Sequence, residues 1–258
     1  MHEDDQSLEG AWAVVTGSSA GIGEAIAMEL AGAGANVLVH GGHNQQRATA
    51  VAERIVGLGL QSRSVVFDLE TLQGQDELIE AALAWAPRID IWINNAGCDV
   101  LTGDAAKVDF EQKLQWLWNI DVMATIRLSR RMGQSMKEQA SGRFIPSIVN
   151  MGWDQAELGM EGDAGEMFGP IKGAIMSFTR SLAKTLAPDV RVNCLAPGWI
   201  RTAWGEDASE YWQQRAISES MLQRWGTPQD VARLAKFLVS PAAAYITGQV
   251  IPVNGGLA

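Results

Sequence analysis

The sequence predicts a doubly wound α/β fold, one seven-stranded and mostly parallel sheet with helices on both faces. Two observations carry that expectation. Short runs that are apolar at nearly every position recur along the 258 residues, as strands buried on both faces require. Amphipathic segments with three- and four-residue apolar spacing lie between them, so strand and helix alternate throughout. A glycine-rich turn joining the first strand to the first helix adds a third.

The strands are expected at 12–16, 37–40, 64–68, 89–94, 147–151, 190–195 and 250–253. Ile22, Ile26 and Leu30 mark the first helix, and Val51, Ile55 and Leu58 the second. Further helices are expected over 76–85, 110–138, 169–186 and 228–238, the last capped by Thr227 with Pro228 in its first turn. The alternation is unbroken, so residues 9–258 read as one domain behind a loose acidic arm at 1–8. The irregular stretches 152–166 and 203–226, rich in Gly, acids and aromatics, follow strands. Loops at the carboxyl ends of strands line the crevice of such folds, so these two are expected to wall a small-molecule substrate.

Composition excludes several classes. With 47% hydrophobic and 19% charged residues the chain has material for a core, which rules out a largely disordered protein. Twenty basic against thirty acidic residues give a net charge of -10, which opposes nucleic acid and anionic membrane as partners. Cys98 and Cys194 form no CxxC pair and sit by no His cluster, so no metal site is expected. The polar start is unlike a secretory signal, and no apolar run approaches the roughly 18 residues of a membrane span. A reduced, cytoplasmic setting is the expectation.

The first strand runs into Thr16-Gly17-Ser18-Ser19-Ala20-Gly21-Ile22-Gly23 and then directly into a helix. Glycines allow the tight turn and let backbone N–H groups approach a pyrophosphate at the helix N-terminus. With Asn94-Asn95-Ala96-Gly97 after the fourth strand, Arg191-Val192-Asn193, the segment Pro197 to Thr202, Gly226 to Ala232 and the terminal Asn254-Gly255-Gly256, the chain resembles the short-chain dehydrogenase/reductase family from about residue 8 onward. The overall pattern is nearest to the 3-oxoacyl carrier-protein reductases.

That resemblance implies a Rossmann-type fold and an NAD(P) cofactor. Gly17, Ser19, Gly21 and Ile22 would surround the pyrophosphate, Asp68 and Leu69 the adenine, and Asn95, Ala96 and Gly97 the adjoining ribose. Pro197, Gly198, Ile200 and Thr202 would flank the nicotinamide, and Lys172 would reach its ribose. Gly41 and Gly42 fall where an acid would select NAD or a base NADP. The absence of a carboxylate there, with His43 and Arg47 nearby, tips the expectation slightly toward NADP. The family also commonly pairs through the helices at 110–138 and around Phe168, which implies a homodimer or homotetramer.

The family's proton-transfer residues are mostly replaced. Its Tyr, which gives a proton as hydride arrives, and its Lys four residues on, which lowers the hydroxyl pKa, fall on Phe168 and Lys172. The Ser after the fifth strand falls on Trp153, with Gly152 one place earlier, and the Asn falls on Asp121, two residues after Asn119. Only Lys172 is retained, and neither Tyr211 nor Tyr245 has a Lys four residues on. Trp153 and Phe168 either take a direct part or pack together and close the pocket. Replacement acids stand at Asp154, Glu157, Glu161, Asp163 and Glu166, and Tyr211 is a candidate lid residue. Three functions stay open: an oxidoreductase with an altered proton donor, a dinucleotide-binding protein without turnover, and non-redox chemistry on the same site.

Overall fold

A computed structural model describes residues 7–139, 142 and 144–257. All seven expected strands form: β1 (Trp12–Val15), β2 (Asn36–Gly41), β3 (Ser62–Val66), β4 (Ile91–Asn94), β5 (Ser147–Met151), β6 (Arg191–Pro197) and β7 (Val250–Val253). They lie in the order β3-β2-β1-β4-β5-β6-β7, and every neighbouring pair is parallel. The central strands β4, β5 and β6 are buried at every position, which is why they read as continuous apolar runs.

Nine α-helices accompany the sheet among the described residues: α1 (Gly21–Gly32), α2 (Gln45–Val56), α3 (Leu72–Trp85), α4 (Phe110–Leu117), α5 (Thr125–Glu138), α6 (Gly162–Leu186), α7 (Ala203–Asp207), α8 (Glu210–Ser218) and α9 (Pro228–Val239). One core, with Ile26, Leu30, Ile55 and Leu238, packs α1, α2 and α9 on one face. A second, with Leu78, Leu128, Ile148 and Leu182, packs α3, α5 and α6 on the other. The sheet order reverses between β1 and β4, so the ligand crevice opens there, at the carboxyl ends of the strands.

Several boundaries differ from the sequence expectation. The helix expected over 110–138 is interrupted by a π-helical segment, Trp118–Ala124, whose wider turn has no signature in a 3.6-residue apolar pattern. Helix α6 starts at Gly162, well before 169, because Pro170 is accommodated inside it. Pro170 removes one N–H and so reads as a helix start, but Glu166, whose carbonyl it leaves unpaired, is exposed to water. The 203–226 stretch carries α7 and α8 instead of a plain loop. Helix α3 begins at Leu72 because the Thr71 side chain accepts from the Gly74 N–H, a cap that 76–85 missed. Leu58 lies beyond the end of α2 and is exposed.

The expected arm over 1–8 is also corrected. Residues 1–6 lie outside the described ones, but Leu8 is fully buried in the first core and its N–H donates to Ala33. The body therefore includes Leu8. No helix among the described residues is long and apolar enough to cross a membrane.

Candidate active site

The glycine-rich turn is held from two sides. Gly17 and Gly21 take φ of +63° and +58°, a region in which a side chain is strained. A Cβ on Gly17 would meet Ala96 Cα at 2.7 Å, and one on Gly23 would meet the Gly17 oxygen at 2.2 Å. From the β4 side, Asn95 Nδ2 donates to the carbonyls of Thr16 and Gly17 at 3.0 Å each, while Thr16 Oγ1 accepts from the N–H groups of Asn95 and Ala96. From the β2 side, Ser18 Oγ donates to the Val15 carbonyl and accepts from the His40 N–H.

His40 completes the clamp, and the sequence reading had not singled it out. The Gly17 N–H donates to His40 Nδ1 at 3.1 Å, and His40 Nε2 lies 2.9 Å from the Phe67 carbonyl. An acceptor at Nδ1 and a donor at Nε2 define one neutral tautomer. Burial holds the imidazole pKa down to about 4. A lone His at a strand end carries no spacing signal that announces this contact.

The remaining turn-side residues fall around the same crevice. Ser19 lies against the end of β2, and a Cβ on Gly42 would meet open space. Asp68 does not cap α3: its Oδ1 accepts from the Glu70 N–H, and the cap is Thr71. The Leu69 side chain is buried in the second core. A Cβ on Gly21 would approach Thr202 Cγ2 at 3.9 Å, so the turn faces the segment after β6.

Across the crevice lies the corner where proton transfer was expected. Asp121, on the π-helical segment, is 2% exposed and its Oδ1 lies 2.6 Å from Lys172 Nζ. Its Oδ2 accepts from the Cys98 N–H, and a Cβ on Gly97 would crowd Oδ1 at 3.0 Å. Asn119 instead accepts from Gln115 on an exposed face, so Asp121 is the inward residue. A side chain on Gly152 would meet Met176 at 2.8 Å and Cys194 at 3.0 Å. The residue that reaches the cleft after β5 is thus Trp153.

Trp153 and Phe168 meet edge to face with centroids 6.3 Å apart, yet they do not close the pocket. A cleft of about 440 Å³ runs from Ile22 and Asn95 past Lys172, Trp153 and Phe168 to Pro197, Gly198, Ile200 and Thr202. Its far wall is formed by Trp199, Trp204 and Trp212, and Trp225 is buried behind them. Trp199, Trp204, Trp212 and Trp225 stand with centroids 5.7 to 6.2 Å apart. Gly205 makes room for this cluster, since a Cβ there would meet the Trp225 ring at 2.9 Å. The aromatic content of 203–226 was visible in sequence, but its assembly into one wall was not.

A family model described as "Enoyl-(Acyl carrier protein) reductase" matches residues 17–258. The 3-oxoacyl-[acyl-carrier-protein] reductase of Aquifex aeolicus is 36% identical over 97% of this chain and 98% of its own. The chain belongs to the short-chain dehydrogenase/reductase family. Solved members superpose closely. A short-chain dehydrogenase from Burkholderia cenocepacia J2315, in complex with NADP, has a TM-score of 0.86 at 28% identity over 97% of this chain and 98% of that one. A 7α-hydroxysteroid dehydrogenase complexed with NADH and 7-oxoglycochenodeoxycholic acid has 0.87 at 28% identity, covering 100% and 98%.

Within this short-chain dehydrogenase/reductase chain, the acids near the corner separate by environment. Glu157 pairs with Arg180 at 2.8 Å. Glu161 pairs with Arg215, whose hydrogen bonds hold its pKa below the usual range. Asp163 and Glu166 are exposed on α6. Asp154 alone is pushed up, to about 6, chiefly by burial. Its Oδ2 accepts from Asn254 at 3.1 Å and its Oδ1 is buried without a partner. It sits behind Gly198, where a Cβ would meet Oδ2 at 2.8 Å, and not on the cleft surface. Tyr211 packs on Trp212 and accepts from Arg215, which turns its hydroxyl toward the guanidinium. Burial also raises both thiols, Cys98 to about 11 and Cys194 to about 12, so neither is a ready nucleophile.

Proposed function

We propose that the chain from Leu8 onward acts as one NAD(P)-dependent oxidoreductase domain, with hydride transfer between the dinucleotide and an apolar substrate and with no side-chain hydroxyl as acid. The open cleft carries this reading, because it joins the glycine-rich turn to Lys172 and the aromatic wall. The turn fits a dinucleotide: Gly17 and Gly23 have no room for a Cβ and Gly17 and Gly21 hold positive φ, so glycine leaves the backbone free to approach a pyrophosphate. Ser19, Ile22 and the N-terminus of α1 border the same turn. Gly42, Asp68 and Leu69 would lie toward the adenosine half, Asn95, Ala96 and Gly97 beside the ribose. Pro197, Gly198, Ile200 and Thr202 would flank the nicotinamide, with Lys172 on its ribose. The bound nicotinamide supplies or accepts the hydride, and this chain's residues orient it and exclude water.

The end of β2 offers no carboxylate, and Arg47 is exposed in the first turn of α2. Both support NADP over NAD. Calorimetry with NADPH and NADH is expected to favour NADPH, with Arg47→Ala removing most of the difference. Failure to bind either dinucleotide would refute the reading.

A second reading, dinucleotide binding without turnover, is favoured by the Lys172–Asp121 pair. That pair neutralises the charge which the family uses to activate a hydroxyl. Tight dinucleotide binding with no change in nicotinamide absorbance across carbonyl, alcohol and imine panels would select it. The exposed Trp118 and Met123 on the π-helical segment support pairing into a homodimer or homotetramer, which light scattering reads directly. The homology to carrier-protein reductases and the two free cysteines fit a cytoplasmic setting.

A further inference from the structure

Given that hydride-transfer reading, on which this inference rests, we propose that the cleft takes a cationic acceptor, an iminium ion on an apolar carbon frame. Proton balance is the first argument. Hydride addition to a carbonyl leaves an electron pair on oxygen, and that developing charge requires a donor and a proton. The polar side chains lining the cleft are Asn95, Lys172 and Thr202. Asn95 is engaged with Thr16 and Gly17, and Lys172 with Asp121. Thr202 stands beside the glycine turn. The indole N–H of Trp153 donates a hydrogen bond without giving up its proton. Hydride addition to an iminium ion has no such requirement. A C–H bond forms at the iminium carbon, the C=N π pair becomes the nitrogen lone pair, and the dihydronicotinamide is oxidised. No proton is taken up, and positive charge only changes place.

The walls are the second argument. Trp153, Phe168, Trp199, Trp204 and Trp212 line the cleft, and aromatic faces attract cations most strongly where water is excluded. This cluster already does so within the fold: the Arg215 guanidinium lies 5.2 Å from the Trp212 centroid and that of Arg201 5.8 Å from Trp225. The charge of the segment that brings Trp153, Met160 and Ala164 to the cleft is the third. The segment 152–166 holds five acids and no Lys or Arg. Two are paired, while Asp163 and Glu166 stay exposed on α6 and form no ion pair among the described residues. The one cation lining the cleft, Lys172, is neutralised by Asp121 at 2.6 Å.

The test begins with dinucleotide binding by calorimetry. Tryptophan fluorescence of the dinucleotide-saturated protein is then titrated with N-methyl dihydroisoquinolinium, a permanent cation, and with α-tetralone, a neutral ketone of similar shape. The cation is expected to bind about tenfold tighter, and Trp212→Leu and Phe168→Leu each to narrow that gap. With reduced dinucleotide carrying deuterium at its transferring position, the cation is expected to gain one deuterium. That rate should stay flat over about pH 6 to 9, because no proton enters the step. Equal affinity for both probes, or reduction of the ketone alone, overturns the proposal and leaves the hydride-transfer reading standing. Absence of dinucleotide binding overturns both.

Discussion

The glycine-rich turn and the corner around Lys172 face each other across one cleft and are built in opposite ways. Around the turn, Thr16, Ser18, His40 and Asn95 all direct hydrogen bonds onto the backbone, and Gly17 and Gly23 leave no space for a side chain. At the corner, the rings of Trp153 and Phe168 meet edge to face, and Lys172 is tied to a carboxylate. Holding a dinucleotide depends on backbone shape, which tolerates little change. The side chains at the corner only line a cavity, so aromatic volume fits there without disturbing the sheet beneath.

The sharpest break of that contrast is to restore the hydroxyls. Phe168→Tyr with Trp153→Ser is expected to raise carbonyl reduction by roughly 10²- to 10⁴-fold, read as initial rates on a ketone panel. Adding Asp121→Asn should raise it further by freeing Lys172. Unchanged rates in the triple variant would mean that the corner lacks more than its hydroxyls.

The pair itself can be broken next. Lys172→Met leaves Asp121 buried without its cation, held only by the Cys98 N–H, which is expected to destabilise the chain by about 3 kcal/mol in urea unfolding. Lys172→Met with Asp121→Leu should recover most of that loss. Equal losses in the two variants would show that the unpaired carboxylate is not the cause.

On the turn side, pH is the probe. His40 takes a proton near pH 4 when folded, against 6.5 ordinarily, so between these values the unfolded chain binds more protons. Stability therefore falls as pH drops from about 6.5 to 4, by about 3 kcal/mol in full. In His40→Asn this slope is expected to flatten, as urea melts at stepped pH would show. A slope unaltered by the substitution would place the titration elsewhere.

Asp154 has the opposite sign. Its folded pKa of about 6 lies above the ordinary 3.8, so the folded chain binds the extra proton. Its stabilising share, complete below pH 3.8, is lost as pH rises through 6. Asp154→Asn is expected to stabilise the chain at neutral pH by about 2 kcal/mol, and by less near pH 4. Destabilisation at neutral pH would mean that the hydrogen bond from Asn254 to the ionised form outweighs the cost of its burial.

The architecture was largely legible because strand burial and helix amphipathicity are written in local spacing: each of the seven strands fell where its apolar run lay. Boundaries failed where a neighbour overrode the local signal, as at Pro170 inside α6 and at the π-helical segment that turns Asp121 inward. On the turn, Gly17 and Gly21 were readable from residue type, whereas His40 was not. Its part depends on β1, β2 and the end of β3 meeting around one imidazole.

Sequence alone determined the strand–helix alternation, the site of the glycine-rich turn and the ring side chains of Phe168 and Trp153, because these follow from residue type and spacing. Tertiary structure decided the rest: that Trp153 and Phe168 meet edge to face beside an open cleft, that Asp121 neutralises Lys172, and that three tryptophans backed by Trp225 form one wall. Those outcomes depend on which distant segments pack together. Nothing in the linear order of residues states how much space remains between them.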